Sequence, residues 1–404
     1  MKLKHIEKII KNLFLSYRFI AYYLNGFVKR DPNLWCFGTY NKGFSDNSKY
    51  LYLYIKAHHP EIRAIWISRS QEMSEKLNQM GFEAYYQKSR QAVSFMKKAK
   101  YHITNTNLTD TGYWYSFRAV YVNLWHGLAL KRIEFDIQKG ANAWKYQFNF
   151  LTYLFKKISF PALYKRPDLL TVSSRETART FKSAFRLNDQ HLTYAPLPRN
   201  TILNTDKKIL RELIYQFESE YEVKLLDELT QFEKVFIWLP TFRDGKKDFL
   251  KEAHIDFEQW NEFLSQRNDI LLVKMHQNLH TRFEDFSHIR FLNSATDIYP
   301  FLTFTDCLIT DYSSIYIDYL LLDKPIIFFC FDKHSYISDM RGIYYDYEEV
   351  TPGCKCYHFN ELLASMDHFD HDQFQKHRQQ MKEFFFKESL NKSLSDLLNE
   401  IKRR

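Results

Sequence analysis

Glycine is scarce in this chain: 10 residues in 404. That is well below ordinary usage, and it argues against collagen-like, linker-rich and glycine-loop architectures. Proline is equally rare, with 10 residues. Cysteine numbers five, at positions 36, 307, 330, 354 and 356. An odd count with no regular spacing does not suggest a disulfide framework, so a reducing compartment is the simpler reading. Cys354-Lys355-Cys356 is too tight for a zinc pair and has no second pair. No DxD-type carboxylate pair, HExxH or P-loop occurs, and no cluster has metal-ligand spacing. There is no fixed-period repeat and no low-complexity tract. The N-terminus lacks the uninterrupted apolar core and small-residue cleavage site of a secretory signal. Arg18 interrupts its apolar stretch, which argues against a bilayer span.

What is present is a globular composition, 45% hydrophobic and 26% charged, with aromatics at 18%. The length suits two or three domains. The net charge of +9 is concentrated at the ends. Residues 1–30 hold seven basic residues against one acid, and Lys402, Arg403 and Arg404 add three more cations. Residues 31–401 are therefore neutral overall, which argues against a diffuse basic surface for nucleic acid. Within the first segment, Ile6, Ile10, Leu13, Tyr17, Ile20, Leu24 and Phe27 fall on one helical face. A basic interfacial helix on an anionic membrane is one reading of residues 1–30. A helix packed on its own domain or on a partner is the other.

From residue 31 onward, apolar runs and helical patterns alternate. Leu34–Gly38, Ala64–Ser68, Tyr101–Thr104, Val120–Trp125 and Leu169–Ser173 read as strands. Asn47–Ala57, Glu72–Met80, Ala92–Lys100 and Glu176–Phe185 read as helices, and residues 142–166 as an aromatic, basic helical stretch. A boundary is expected near 200–206, after the breaker cluster Ala195–Pro198. A long helix Lys208–Leu229 follows. A second series comprises strands Val235–Leu239, Ile270–Lys274, Cys307–Thr310 and Pro325–Phe331 with helices over 256–266, 296–304 and 314–322. Residues 372–402 read as helical. The pattern predicts an α/β protein of two Rossmann-like halves with parallel sheets, and a ligand in the cleft beyond the strand ends.

Four strand-end motifs could serve such a cleft. His126, before Gly127, could act as a general base or simply as a structural hydrogen-bonder. Gly127 would let the backbone turn close to a ligand. Thr241 and Arg243 could bind phosphate or form a surface turn with Asp244. Lys274 and His276 could meet a diphosphate or sit on a solvated strand end. Asp311-Tyr312-Ser313-Ser314 precedes a helix, where serines either cap the helix or join its free N–H groups in holding phosphate. Arg341-Gly342 lies downstream and could close over the phosphates.

In order and content these motifs resemble the CDP-glycerol:poly(glycerophosphate) glycerophosphotransferase family. The matching segments are Asp46–Leu51, Trp125–Gly127, Pro198–Asn200, Pro240–Asp244, Lys274–His276, Asp297–Tyr299, Thr305–Ser314, Asp323–Phe328 and Arg341–Tyr347. The resemblance implies a GT-B fold, with residues 31–203 as acceptor domain, 204–380 as CDP-polyol domain and 381–404 as a C-terminal helix. It implies catalytic roles for His126 and His276, and donor phosphate contacts from Arg243, Ser313, Ser314 and Arg341; Thr241 and Lys274 join the donor phosphate site on the strand-end reading above. Asp311 and Gly127 would support the donor site. The implied substrates are CDP-glycerol or a related CDP-polyol and a lipid-linked acceptor at the inner face of the bacterial plasma membrane. No metal and no cofactor is expected. Leu128, Gln277 and Thr201 depart from the family pattern and leave the polyol and acceptor open. A nucleotide-sugar glycosyltransferase and a non-catalytic polyanion- or membrane-binding protein are the competing readings.

Overall fold

The computed structural model describes residues 19–139, 143–146, 150–241, 249–275, 286–333, 336, 342–370 and 373–404. Two all-parallel sheets organise them. The first contains β1 (Asp31–Phe37), β2 (Arg63–Ser68), β3 (Ala84–Tyr86), β4 (Ala99–Thr104), β5 (Val120–Asn123), β6 (Leu169–Val172) and β7 (Leu192–Tyr194), in the order β3-β2-β1-β4-β5-β6-β7. The second contains β8 (Val235–Trp238), β9 (Ile270–Val273), β10 (Ile289–Phe291), β11 (Cys307–Thr310), β12 (Ile326–Phe329) and β13 (Cys354–Cys356), in the order β10-β9-β8-β11-β12-β13. Strand order reverses between β1 and β4 and again between β8 and β11. Open α/β sheets bind ligands at such switch points, outside the carboxyl ends of the strands.

The central strands of the second sheet are almost wholly apolar because helices cover both faces of a parallel sheet. Ile270-Leu271-Leu272-Val273, for example, is wholly buried. The four strands that the sequence pattern does not reveal are β3, β7, β10 and β13. Each has three residues and each is a sheet edge. Three residues are too few to display a periodicity.

Several helical readings need correction. The expected helix over 296–304 is only Tyr299–Leu302, and the one expected to end at Lys100 stops at Lys98, where β4 begins. The expected helix Lys208–Leu229 is two helices, Lys207–Phe217 and Glu220–Glu228, because Glu218 and Ser219 are extended. The Phe217 carbonyl accepts the Lys76 ammonium at 3.0 Å, and the Ser219 hydroxyl bonds the Glu222 carboxylate at the new helix start. The expected helix over 314–322 is a short α-helix, Ile315–Tyr319, tightened to a 3-10 turn over Leu320–Leu322. The run 372–402 contains two helices, Gln375–Phe386 and Leu394–Lys402, and Ser393 and Asp396 form a capping box for the second.

The chain crosses back near its C-terminus. Helix Gln375–Phe386 sends Phe385 and Phe386 into the core of the second sheet with Ile237 and Leu308. Helix Leu394–Lys402 returns to the first sheet and packs Leu397, Leu398 and Ile401 with Trp35, Tyr101 and Val122.

Residues 1–18 of the expected N-terminal helix lie outside the described residues. Residues 19–24 are helical and run into a 3-10 turn, Asn25–Phe27. Tyr22 stacks on Tyr113 at 4.9 Å, and the Asn25 amide donates to the Trp114 carbonyl, which anchors this end to the first sheet's domain. Ile20, Leu24 and Phe27, on the predicted apolar face, are exposed. No helix among the described residues is long and apolar enough to cross a membrane. All five cysteines are unbridged, and Cys36, Cys307, Cys330 and Cys356 are buried.

Candidate active site

β5 ends at Asn123, two residues before the expected end, and a strained turn presents His126. The Asn123 side chain accepts the Trp125 N–H at 2.8 Å, and Trp125 adopts a left-handed φ of 57°. The Asn47 amide donates to the Trp125 carbonyl at 2.8 Å. Gly127 follows at φ 133°, and a Cβ there would stand 2.6 Å from Arg199 Nη2. The glycine is thus required by both backbone conformation and space.

The His126 ring lies over Trp125, with centroids 4.2 Å apart. Its Nδ1 is 3.2 Å from the Asn105 carbonyl oxygen. A carbonyl can only accept, so Nδ1 carries the hydrogen and Nε2 carries the lone pair of the neutral ring. That is the tautomer a general base needs at Nε2.

The second sheet supplies the opposing wall. Thr241 follows β8, and Asp311–Ser314 follow β11. Asp311 is a brace: its carboxylate accepts the Thr241 N–H at 2.9 Å and the Tyr312 N–H at 2.6 Å. It ties the two loops together. Ser314 heads helix Ile315–Tyr319 without a side-chain cap bond, and the Ser313 hydroxyl accepts the Ile315 N–H only at 3.4 Å. Capping therefore makes little claim on these serines. Ser314 Oγ lies 3.5 Å from the place a Gly127 Cβ would occupy, so the two walls touch beside His126. Together they enclose a cleft of about 320 Å³ lined by His126, Gly127, Lys131, Thr241, Ser313 and Ser314. Behind it, Lys131 and Ile343 form a β-bridge, and the Arg132 N–H donates to the Gly342 carbonyl.

Buried charge holds the halves in this relation. Arg199, 6% exposed, donates through Nη1 to the His126 carbonyl and to Asp46 Oδ1, each at 2.9 Å. Its Nη2 meets Asp318 Oδ2 at 2.6 Å. Asp318, on the second sheet's helix, is 0% exposed and also accepts the Tyr299 hydroxyl at 2.6 Å and the Asn200 amide at 2.9 Å. Burial opposes the Arg199 charge, but Tyr299, Asp318 and Asp46 outweigh it and hold the guanidinium pKa above its usual value. A second pair joins Lys49 to Asp297 at 2.7 Å, with the Tyr50 hydroxyl on the same carboxylate oxygen at 2.6 Å.

The structure thus brings His126, Gly127, Thr241, Ser313 and Ser314 to one cleft, with Asp311 bracing it. Lys274 lines an adjacent, larger recess of about 1100 Å³ with Tyr40, Asp46, Arg199 and Thr296. There its ammonium donates to the Thr296 carbonyl at 2.6 Å, and burial lowers its pKa. Arg243, His276 and Arg341 lie outside the described residues. Among the described residues no group of three or more His, Cys, Asp or Glu side chains could hold a metal ion. Sequence reasoning gave no role to Arg199, Asp46 or Asp318. The first two stand inside matched motifs, whereas Asp318 has no signal beyond being an acid in an apolar helix.

Comparison with known proteins agrees with this architecture. The chain is 28% identical to a teichoic acid poly(glycerol phosphate) polymerase of Staphylococcus epidermidis over 330 residues, 77% of this chain and 42% of that protein. It is 28% identical to the Bacillus subtilis protein of that name, covering 87% of this chain and 45% of that one. A Staphylococcus aureus teichoic acid glycerol-phosphate transferase is also 28% identical, covering 80% of each chain. The chain therefore spans under half the length of the first two relatives. Among solved structures, the wall teichoic acid polymerase TagF superposes with a TM-score of 0.77 at 22% identity, covering 100% of this chain and 96% of that one. The fold is accordingly GT-B-like, as expected. The profile of the CDP-Glycerol:Poly(glycerophosphate) glycerophosphotransferase family matches residues 20–402, and the chain belongs to that family.

Proposed function

We propose that this protein transfers a polyol phosphate, with glycerol phosphate the first choice, from a CDP-polyol to a hydroxyl of a membrane-linked acceptor, releasing CMP, in the synthesis of a teichoic acid-like or capsule polymer. The acceptor oxygen attacks the β-phosphorus, the bond from that phosphorus to the bridging oxygen breaks, and CMP leaves. His126 Nε2 takes the acceptor proton. Ser313, Ser314 and Thr241 bond the phosphates, and Arg243, His276 and Arg341, carried over from the family resemblance, stabilise charge on the transferred and leaving groups. In this reading residues 31–203 serve the acceptor and residues 204–380 the donor.

One observation carries the reading: His126, with its Nδ1–H directed to the Asn105 carbonyl, shares a cleft with Ser313 and Ser314. A base and phosphate-binding hydroxyls on facing walls fit in-line transfer. Family membership and the names of the relatives support the choice of substrate. The exposed Ile20, Leu24 and Phe27, next to a basic N-terminal segment, support a peripheral position on the inner face of the plasma membrane.

The test is to incubate the purified protein with a lipid-linked acceptor and CDP-glycerol, CDP-ribitol or sugar nucleotides, reading nucleotide products and product length by mass spectrometry. CMP release with acceptor extension is the expected result. A nucleoside diphosphate released from a sugar nucleotide, with no CMP from any CDP-polyol, overturns it.

A further inference from the structure

We infer that Arg199 and Asp318 are positioning residues that couple the donor-facing helix of one half to the alignment of the base, His126, on the other. The inference rests on the phosphotransfer reading. Ser314 and Asp318 belong to one helical turn, so a group seated against Ser314 is in rigid register with the Asp318 carboxylate. That carboxylate meets Arg199 Nη2 at 2.6 Å. The other amine of the same planar guanidinium holds the His126 carbonyl at 2.9 Å. The backbone N–H of Arg199 donates to the Asn47 side chain at 3.0 Å, and Asn47 in turn holds the Trp125 carbonyl at 2.8 Å.

Both carbonyls of the base-bearing turn are therefore set by Arg199, one directly and one through Asn47. The turn itself is strained, with Trp125 at φ 57° and Gly127 at φ 133°, and it needs such outside support. Stacking of the guanidinium on Tyr299, at 4.6 Å, fixes its plane. A planar fork can hold two partners at a fixed angle, which a lysine ammonium cannot do. Asp46 and Asn47 hold Arg199 within the first half, and docking of the second half adds the Asp318 carboxylate and the Tyr299 ring, which fix the guanidinium that carries the His126 carbonyl.

The test compares wild type, Arg199→Ala, Arg199→Lys and Asp318→Asn in steady-state CMP release, with circular dichroism and melting temperature for each. Misplacement of a base costs rate and leaves donor binding alone. Arg199→Ala should lose about 100-fold in kcat, with the KM for the CDP-polyol within a few-fold of wild type. Added guanidinium ion should restore part of the Arg199→Ala rate and leave wild type unchanged. Arg199→Lys should stay impaired. Asp318→Asn, which keeps the shape but loses the charge and leaves one terminal atom unable to accept a hydrogen bond, should give the same kcat-selective loss and keeps the test available if Arg199→Ala fails to fold. Folded variants with wild-type kcat, or a loss that appears only in KM and that guanidinium does not rescue, overturn the inference. Absence of CMP release from wild type with every CDP-polyol strikes instead at the underlying reading.

Discussion

Lys49 and Asp297 form an ion pair at 2.7 Å although they belong to opposite halves, and both side chains are almost entirely shut off from water. Lys49 lies on the helix after β1, and Asp297 lies just before helix Tyr299–Leu302. Burial disfavours the Asp297 charge, but Lys49 and the hydrogen bonds it receives prevail and lower its pKa. Removing one partner strands the other charge in the interior. Lys49→Met or Asp297→Leu alone should destabilise the protein by about 3–5 kcal/mol. The double replacement should cost less than the sum of the two. Urea unfolding of all four proteins in a double-mutant cycle reads the coupling, and simple additivity would contradict the role of the pair.

His126→Ala should lower kcat by about 100- to 10,000-fold if the ring is the base. The turn is held by backbone carbonyls and by Arg199, so the fold should persist. Rapid-quench or steady-state CMP release, with circular dichroism as control, checks it. A folded variant with near-normal turnover removes His126 from this role.

Glu218 sits beside the Lys49–Asp297 pair, and burial pushes its pKa up to about 7, with Lys49 opposing and Asp297 adding to the shift. A raised carboxyl pKa means that the folded state binds the proton more tightly than the unfolded chain. Stability associated with this group is therefore full below the ordinary carboxyl pKa and falls as pH rises toward 7, levelling off above it. Glu218→Gln should remove that slope. The variant should gain stability over wild type at pH 8 relative to its difference at pH 4.5, as measured by urea midpoints. Equal differences at the two pH values would rule the titration out.

Replacing Ile20, Leu24 and Phe27 together by Asp should weaken co-sedimentation with anionic phospholipid vesicles, since apolar area and charge both drive interfacial binding. CMP release with a water-soluble acceptor should be unchanged, because none of these side chains lines the cleft or the adjoining recess. Unaltered vesicle binding by the triple variant would place the membrane contact elsewhere.

Much of the architecture was legible because central parallel strands are buried on both faces and read as apolar runs. Ile270–Val273 and Cys307–Thr310 are examples. Edge strands such as Ala84–Tyr86 carry no such run. The break at Glu218–Ser219 was marked by a serine three residues before Glu222, a helix-start spacing hidden inside a continuous helical pattern. In the site, His126, Ser313 and Ser314 could be found because strand ends are where such sheets place chemistry. Arg199 and Asp318 could not be assigned, because what they do depends on a partner more than a hundred residues away. Sequence order does not reveal that pairing.

The return of helix Leu394–Lys402 to the first sheet has a consequence for biosynthesis. Leu397, Leu398 and Ile401 complete an apolar layer that begins at Trp35. During translation the first sheet emerges with that layer uncovered, and it stays so until residues 394–402 have left the ribosome. The first half therefore buries this layer only after the second half has been made, and its apolar strip stays open to chaperones through about the second half of synthesis.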